Sequence, residues 1–143
     1  MSKAGDINHL LPVPDRDSQD WWDALARHEF VLQRCTGCET WRWPPREICN
    51  RCGSFESRWT PVSGLGTLTS WVVNKQAFLP GFEVPYVVVN VRLEEQEDCK
   101  LIGSFRGPIE VLRGGLPVRA KFEDVREGTT LLSWEPALEG KDR

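Results

Sequence analysis

The chain has 143 residues, 40% of them hydrophobic and 27% charged, with a formal net charge of −3. That balance fits a soluble globular chain and excludes a wholly disordered one, and the length fits one domain or two very small ones. The longest apolar stretch, around Val84 to Val91, falls far short of the roughly 20 residues of a membrane helix, and a pI near 5.5 gives no electrostatic reason to bind nucleic acid or anionic membranes.

The N-terminal MSKAGDINHL carries neither a long apolar segment nor a small-residue cleavage site, so a cytoplasmic chain without a secretion signal is expected. Residues 1–17 read as a loose polar arm with Pro12 and Pro14. Ser18 is then a candidate N-cap, with Asp20 and Asp23 in the first turns where carboxylates suit the helix dipole. Trp21, Trp22, Leu25 and Ala26 recur at helical spacing, which predicts a helix from about Gln19 to His28 within a docking segment 18–29. It is too short to stand alone, so its Trp face must dock on the rest of the chain or on another chain.

Residues 30–60 are dense in Cys, Gly, Pro and Trp and have no helical period. Cys35-Thr-Gly-Cys38 and Cys49-Asn-Arg-Cys52 make two CxxC pairs separated by ten residues. Each pair can form a tight knuckle that aims two thiolates at one point, with Gly37 and Gly53 suiting the turns. Four thiolates fit tetrahedral Zn²⁺, and a site closed by four protein ligands is structural rather than catalytic. An iron–sulfur or rubredoxin-like iron centre would use the same ligands, and spacing does not separate them. Disulfides are disfavoured without a secretion signal. Between the knuckles lies Trp41-Arg42-Trp43-Pro44-Pro45-Arg46, read as part barrel packing and part stiff aromatic contact surface.

Residues 61–138 hold five runs rich in β-branched and aromatic residues, GTLTSWVVNK, YVVVNVRLEE, CKLIGSFRG, PVRAKFEDV and TLLSWEPA. Turn signals separate them: Pro80-Gly81, the EEQED stretch, Gly114-Gly115 and Gly128. Five short strands without intervening helices predict a small antiparallel barrel, because closing the sheet removes its edges. The glycines of Ser63-Gly64-Leu65-Gly66 precede a strand, not a helix, so they suit a bend and not a dinucleotide site. Residues 139–143 read as a solvated tail.

No self-sufficient catalytic constellation emerges. Cys99 follows Glu94, Glu95, Glu97 and Asp98, carboxylates that disfavour a thiolate, and is expected to be a packing residue. His9 and His28 are the two histidines, and nothing in the sequence pairs either with Cys99 or a serine. The EEQED run reads as a solvated hairpin tip.

Taken together, the helix WWDALARHEF, the ribbon LQRCTGCETWRWPPREICNRCGS, the junction RWTPVSGLGTLTSWVV, the strand PYVVVNVRLEE and the closing LIGSFRG and GGLPVRAKFED resemble a bacterial and archaeal family of zinc-ribbon plus OB-fold proteins associated with thiolases and acyl-CoA metabolism. The resemblance runs from about Ser18 to Pro136. It implies a mainly β chain: an N-terminal helix, a rubredoxin-like zinc ribbon and a five-stranded antiparallel OB-fold barrel. It also implies a non-catalytic accessory subunit that holds structural Zn²⁺ through Cys35, Cys38, Cys49 and Cys52.

The implied partner is a thiolase-like or sterol-carrier-type aldolase subunit in a heterotetramer. That enzyme would split a steroid side-chain CoA thioester by retro-aldol chemistry, with the CoA thioester as ligand of the complex. A MaoC-type hydratase or a thiolase or acyltransferase is the other partner class the family offers. Trp21, Trp22, Trp41, Trp43, Arg42, Arg46 and Lys75 are the candidate partner or CoA contacts, the cations because they suit phosphates. The Trp-rich TWRWPPR stretch departs from many relatives and would suit a bulky apolar surface such as a sterol. A single-stranded nucleic-acid module is the competing class, since ribbons and OB barrels stack bases on aromatics and Trp41, Trp43 and Trp71 are available. Against it, the five Arg and three Glu of residues 34–58 give an excess that a zinc–tetrathiolate charge of about −2 offsets.

Overall fold

The computed structural model describes residues 11–76 and 83–137; His9, the Pro80-Gly81 turn, most of the arm and the tail lie outside them. Among the described residues the first element is a helix, α1 (Gln19–Ala26). A three-stranded ribbon follows, from β1 (Val31–Cys35), β2 (Trp41–Arg42) and β3 (Ser57–Pro61), in the order β2-β1-β3. Then come β4 (Leu65–Asn74), β5 (Tyr86–Leu93), β6 (Lys100–Phe105), β7 (Pro117–Arg126) and β8 (Thr129–Pro136), closed into a barrel in the order β4-β5-β6-β8-β7. The barrel strands coincide with the five β-branched runs.

One detail of the expected barrel is corrected. It is mixed, because β6 pairs β8 in parallel at Ser104↔Ser133 and Phe105↔Trp134 while its other pairs are antiparallel. The reason is arithmetic. Strand direction alternates around an antiparallel ring, and a ring of five cannot alternate all the way round, so one neighbouring pair must run the same way.

Ser18 occupies the N-cap position of α1 but turns its side chain away from the helix. Its hydroxyl and amide both donate to the Asp15 carboxylate, at 2.7 and 2.9 Å. The helix stops at Ala26, two residues earlier than the apolar spacing predicts. His28 adopts φ +61°; its amide donates to Leu25 O at 2.8 Å, and the Glu29 amide donates to Ala24 O at 2.9 Å. This is the Schellman closure, with histidine where glycine is usual.

Helix, ribbon and barrel share one core. Trp21 and Leu25 of α1, Phe30, Leu32 and Trp41 of the ribbon, and Leu68, Val89, Val91, Val118 and Trp134 of the barrel are buried in one cluster. The apolar face of α1 therefore docks on its own chain, with Trp21, Ala24 and Leu25 buried. Trp134 is fully buried and meets Phe30 edge-on, ring centroids 6.2 Å apart, which joins barrel to ribbon. In β5, Val87, Val89, Val91 and Leu93 alternate with outward Val88, Asn90 and Arg92, the period-2 pattern of a strand with one covered face. At the ribbon–barrel junction, a Cβ on Gly66 would stand 2.6 Å from Val91 Cγ1 and 2.7 Å from the Arg92 carbonyl. Glycine here is a packing necessity, not a hinge.

The EEQED stretch is the largest departure from the sequence reading. Glu94, Glu97 and Asp98 are exposed as expected, but the stretch is also a docking element. The Gln96 amide accepts from Trp41 N–H at 2.9 Å and donates to Trp41 O at 3.1 Å, capping the open edge of β2 as a neighbouring strand would. Glu95 accepts from Ser63 N–H at 2.6 Å, and Asp98 lies 3.9 Å from the Arg51 guanidinium. The β5–β6 connection thereby clasps the ribbon to the barrel.

Candidate metal centre and contact surfaces

The two CxxC segments are built alike. In each, the amide of the first Cys donates five residues ahead, Cys35 to Thr40 O at 2.9 Å and Cys49 to Ser54 O at 2.8 Å. The first Cys carbonyl accepts from four residues ahead, from Glu39 at 2.9 Å and from Gly53 at 3.0 Å. The residue after the second Cys is left-handed in both, Glu39 at φ +66° and Gly53 at φ +80°. Gly53 takes that conformation without a Cβ clash, whereas Glu39 bears it at a cost. Gly37, which the sequence also marked as a turn glycine, is not left-handed, and a Cβ there would meet the Cys52 and Cys35 sulfurs at ordinary contact distances of 3.6 and 3.7 Å.

The knuckles bring the four sulfurs within 4.8 Å of one another, with Cys35–Cys52 and Cys38–Cys49 each at 3.6 Å. A tetrahedron with metal–sulfur bonds of about 2.3 Å has sulfur–sulfur edges of about 3.8 Å, so the donor set fits zinc in number, type and spacing. Backbone amides point at the sulfurs: Gly37 N–H at Cys35 Sγ, 3.3 Å, and Arg51 and Cys52 N–H at Cys49 Sγ, 3.4 and 3.5 Å. The Cys52 and Arg51 amides pull the Cys49 thiol down to about 6. The Cys38 and Gly37 amides lower Cys35 in the same way. Such donors favour thiolates, the form that binds metal.

Cys99 is a different thiol. It is buried, and burial first, then Asp98 and Glu95, push it up to about 11. The carboxylate effect has the expected direction, but desolvation is the larger cause, and neither makes a nucleophile. His28 crosses to the barrel instead of meeting a thiol or serine. Its ring stacks on Phe122 with centroids 5.0 Å apart, and Nε2 lies 2.9 and 3.1 Å from the Asp124 carboxylate oxygens. Thr130 Oγ donates to Asp124 at 2.6 Å. The Thr130 hydroxyl and then His28 hold that carboxyl below its ordinary value. The arrangement ties the end of α1 to β7 and β8.

The candidate contact residues divide sharply. Trp21 and Trp41 are 7% exposed and Arg42 is 1% exposed, so these three face the interior. Trp21 packs against Trp22 and Trp43, with ring centroids at 4.7 and 4.8 Å. Arg34 covers the Trp41 ring. Arg42 donates to the Arg46 carbonyl at 2.9 Å, and Arg46 donates to Pro44 O and Asn50 Oδ1, both at 3.2 Å. Both arginines thus donate to the loop between the knuckles, Arg42 from a buried position in which Nε and one terminal nitrogen find no partner among the described residues. Trp22 and Trp43 are half-buried, while Lys75 is exposed just past β4, on the barrel and not on the ribbon.

The sequence reading overlooked Arg34 and Arg58. Strand register puts them directly opposite one another on β1 and β3, a relation that becomes legible only once the ribbon's pairing is known. The repeated C-x-x-C-x-[T/S] pattern was also in the sequence and could have signalled two equivalent knuckles.

A metal-fitting cysteine ribbon fused to a closed five-stranded barrel of OB order defines a zinc-ribbon/OB-fold protein. Comparison with known proteins makes this specific. Residues 22–58 match the family model described as the ChsH2 rubredoxin-like zinc ribbon domain, and residues 59–123 match that of the ChsH2 C-terminal OB-fold domain. The chain belongs to this ChsH2 family.

A solved structure described as the Ltp2-ChsH2(DUF35) aldolase contains a chain 33% identical, aligned over 89% of this chain and 99% of that one, with a TM-score of 0.82. A DUF35-family protein of unknown function from Sulfolobus solfataricus, 13% identical with a TM-score of 0.62, shares the fold. Two curated relatives align over 129 residues. One is a probable enoyl-CoA hydratase alpha subunit of Thermomonospora curvata, 34% identical. The other is the 3-oxo-4,17-pregnadiene-20-carboxyl-CoA hydratase alpha subunit of Mycobacterium tuberculosis, 35% identical. The chain spans 40% of the length of each. Among the described residues no helix is long and apolar enough to cross a membrane.

Proposed function

We propose that this chain is a non-catalytic accessory subunit of a thiolase-superfamily acyl-CoA enzyme, a steroid side-chain retro-aldolase being the member favoured. One observation carries the reading: the chain matches, over nearly its full length, a subunit of a structure described as an aldolase. Among the described residues, Cys99 is buried with a raised pKa and the His28–Asp124 pair serves a structural tie. In this reading the reacting groups belong to the partner, and this chain stabilises the assembly and helps bind the CoA thioester.

Cys35, Cys38, Cys49 and Cys52 hold a structural zinc ion. Bound there, the metal supplies cross-linking of the two knuckles and no reaction chemistry, since all four positions are filled by protein. The chain's own residues do the rest: the amides of Gly37, Arg51 and Cys52 favour the anionic form of Cys35 and Cys49, and Gln96 holds the loaded ribbon against the barrel. The unit boundaries we propose are the docking segment 18–29, the ribbon 30–60 and the barrel 61–138.

A second reading, an accessory role beside an enoyl-CoA hydratase, is favoured by the names of the two curated relatives. Affinity capture of the tagged chain from its own cells separates the two. A thiolase-like partner with zinc at one equivalent by mass spectrometry supports the first reading. A hydratase-type partner would redirect it to the second, and a stable monomer with neither partner would sink both.

A further inference from the structure

We propose that the outer face of the ribbon carries a binding site for a phosphate-bearing anion, built on Arg34 and Arg58. The source of that anion, the phosphorylated end of a CoA thioester, rests on the reading above; the site itself rests on the geometry of the ribbon.

Arg34 and Arg58 are direct cross-strand partners, so their side chains leave the same face of the sheet. Like charges placed opposite one another on adjacent strands repel, and among the described residues neither arginine forms an ion pair with a carboxylate. Arg34 is already positioned. Its Nε donates to Glu39 O at 2.9 Å, and its guanidinium sits 4.8 Å from the Trp41 ring centroid, which leaves its two terminal nitrogens for another acceptor. Among the described residues no hydrogen bond engages the Arg58 guanidinium. The pair borders a surface cavity completed by Cys35, Thr36, Glu39 and Thr60, Glu39 being the one carboxylate among the lining residues. Two planar guanidinium groups lining one cavity offer donors of the kind that engage phosphate oxygens bidentately. A diphosphate, with two charged groups a few ångströms apart, matches two arginines better than a single carboxylate does.

The test uses the zinc-loaded full-length chain and three probes: coenzyme A, inorganic pyrophosphate, and pantetheine, which lacks the phosphates. Coenzyme A and pyrophosphate are expected to shift the Arg34 and Arg58 Nε resonances, with affinity falling steeply as salt rises. Arg58→Gln is the informative variant because among the described residues the Arg58 side chain makes no hydrogen bond or ion pair; it should weaken both probes about tenfold, with Arg58→Lys losing less. Pantetheine should leave both resonances unmoved. Tighter binding of coenzyme A than of pyrophosphate assigns the source to the nucleotide ligand, and equal binding assigns it to the diphosphate alone.

Unchanged anion affinity in Arg58→Gln, or pantetheine binding as well as coenzyme A, overturns the site. So does an Arg58→Gln variant that loses zinc affinity while keeping anion affinity, because the arginines would then serve only as counter-charge to the metal centre. A wild-type chain that captures its partner yet binds neither anion defeats this inference alone. One that binds both anions but captures no partner defeats the accessory-subunit reading alone.

Discussion

Replacing Gln96 with alanine removes both hydrogen bonds to the Trp41 main chain, the 2.9 Å acceptor and the 3.1 Å donor. A typical protein hydrogen bond contributes about 0.5–1.5 kcal/mol net, and a partner left buried and unsatisfied raises the loss. Trp41 is 7% exposed, so water reaches the abandoned groups poorly, and two bonds together are worth about 2 kcal/mol. For a chain of this length each kcal/mol moves the melting temperature by roughly 3–4 °C, giving an expected fall of roughly 6–8 °C. Gln96→Glu should cost about half as much, because a carboxylate still accepts from the Trp41 N–H but cannot donate to its carbonyl. The assay is thermal melting of the zinc-loaded chain followed by circular dichroism, with hydrogen exchange at the Trp41 amide as a local readout. A fall under about 1 °C with unchanged exchange at Trp41 would refute the claim that this side chain clasps ribbon to barrel.

Three further outcomes are expected. Gly66→Ala, whose Cβ would stand 2.6 Å from Val91 Cγ1 and 2.7 Å from a carbonyl oxygen, should cost about 3 kcal/mol; a melt within 2–3 °C of wild type would contradict the crowding. Glu39→Gly should stabilise the first knuckle by about 0.5 kcal/mol, since the strain of a non-glycine residue at φ +66° slightly exceeds the extra unfolded-state freedom of glycine, whereas Gly53→Ala should destabilise the second; zinc-competition titrations read both, and matching signs would count against the paired-knuckle description. A hydrogen bond from Arg106 holds the Glu123 carboxyl below its ordinary 4.5, so its stabilising contribution is full above that unfolded value and drains away as pH falls through the lower folded one. Urea midpoints of wild type should therefore drop faster than those of Glu123→Gln between about pH 5 and pH 3, and parallel slopes would exclude the effect.

Much of this architecture was legible because it is local. The CxxC pairs mark the candidate metal ligands by spacing, the period-2 alternation of Val87, Val89 and Val91 marks a half-covered strand, and Trp21 and Leu25 mark a helix face. What escaped is what strand register and long-range closure create. The EEQED run looks solvated by composition, yet three of its side chains reach the ribbon or the junction, and Cys99 beside it is buried. Trp41 and Arg42 look like surface material in a small module, but the barrel and helix supply the interior they fill. Arg34 and Arg58 are 24 residues apart in sequence and adjacent only through the β1–β3 register. The parallel β6–β8 pair follows from ring closure, which no single strand's pattern displays.

The clasp between Gln96 and Trp41 also sets an order in time. Synthesis runs from the N-terminus and domains begin to fold as they emerge, so all four metal ligands are made before any strand after β4. The open edge of β2 is a main-chain N–H and carbonyl awaiting a partner, and that partner is encoded 55 residues later. A ribbon that loads its metal promptly therefore waits with an unsatisfied strand edge, the kind that pairs with foreign chains, until the β5–β6 connection arrives to cover it. The vulnerable interval in the life of this protein is set by elongation speed across the barrel's first strands, not by the final stability of either part.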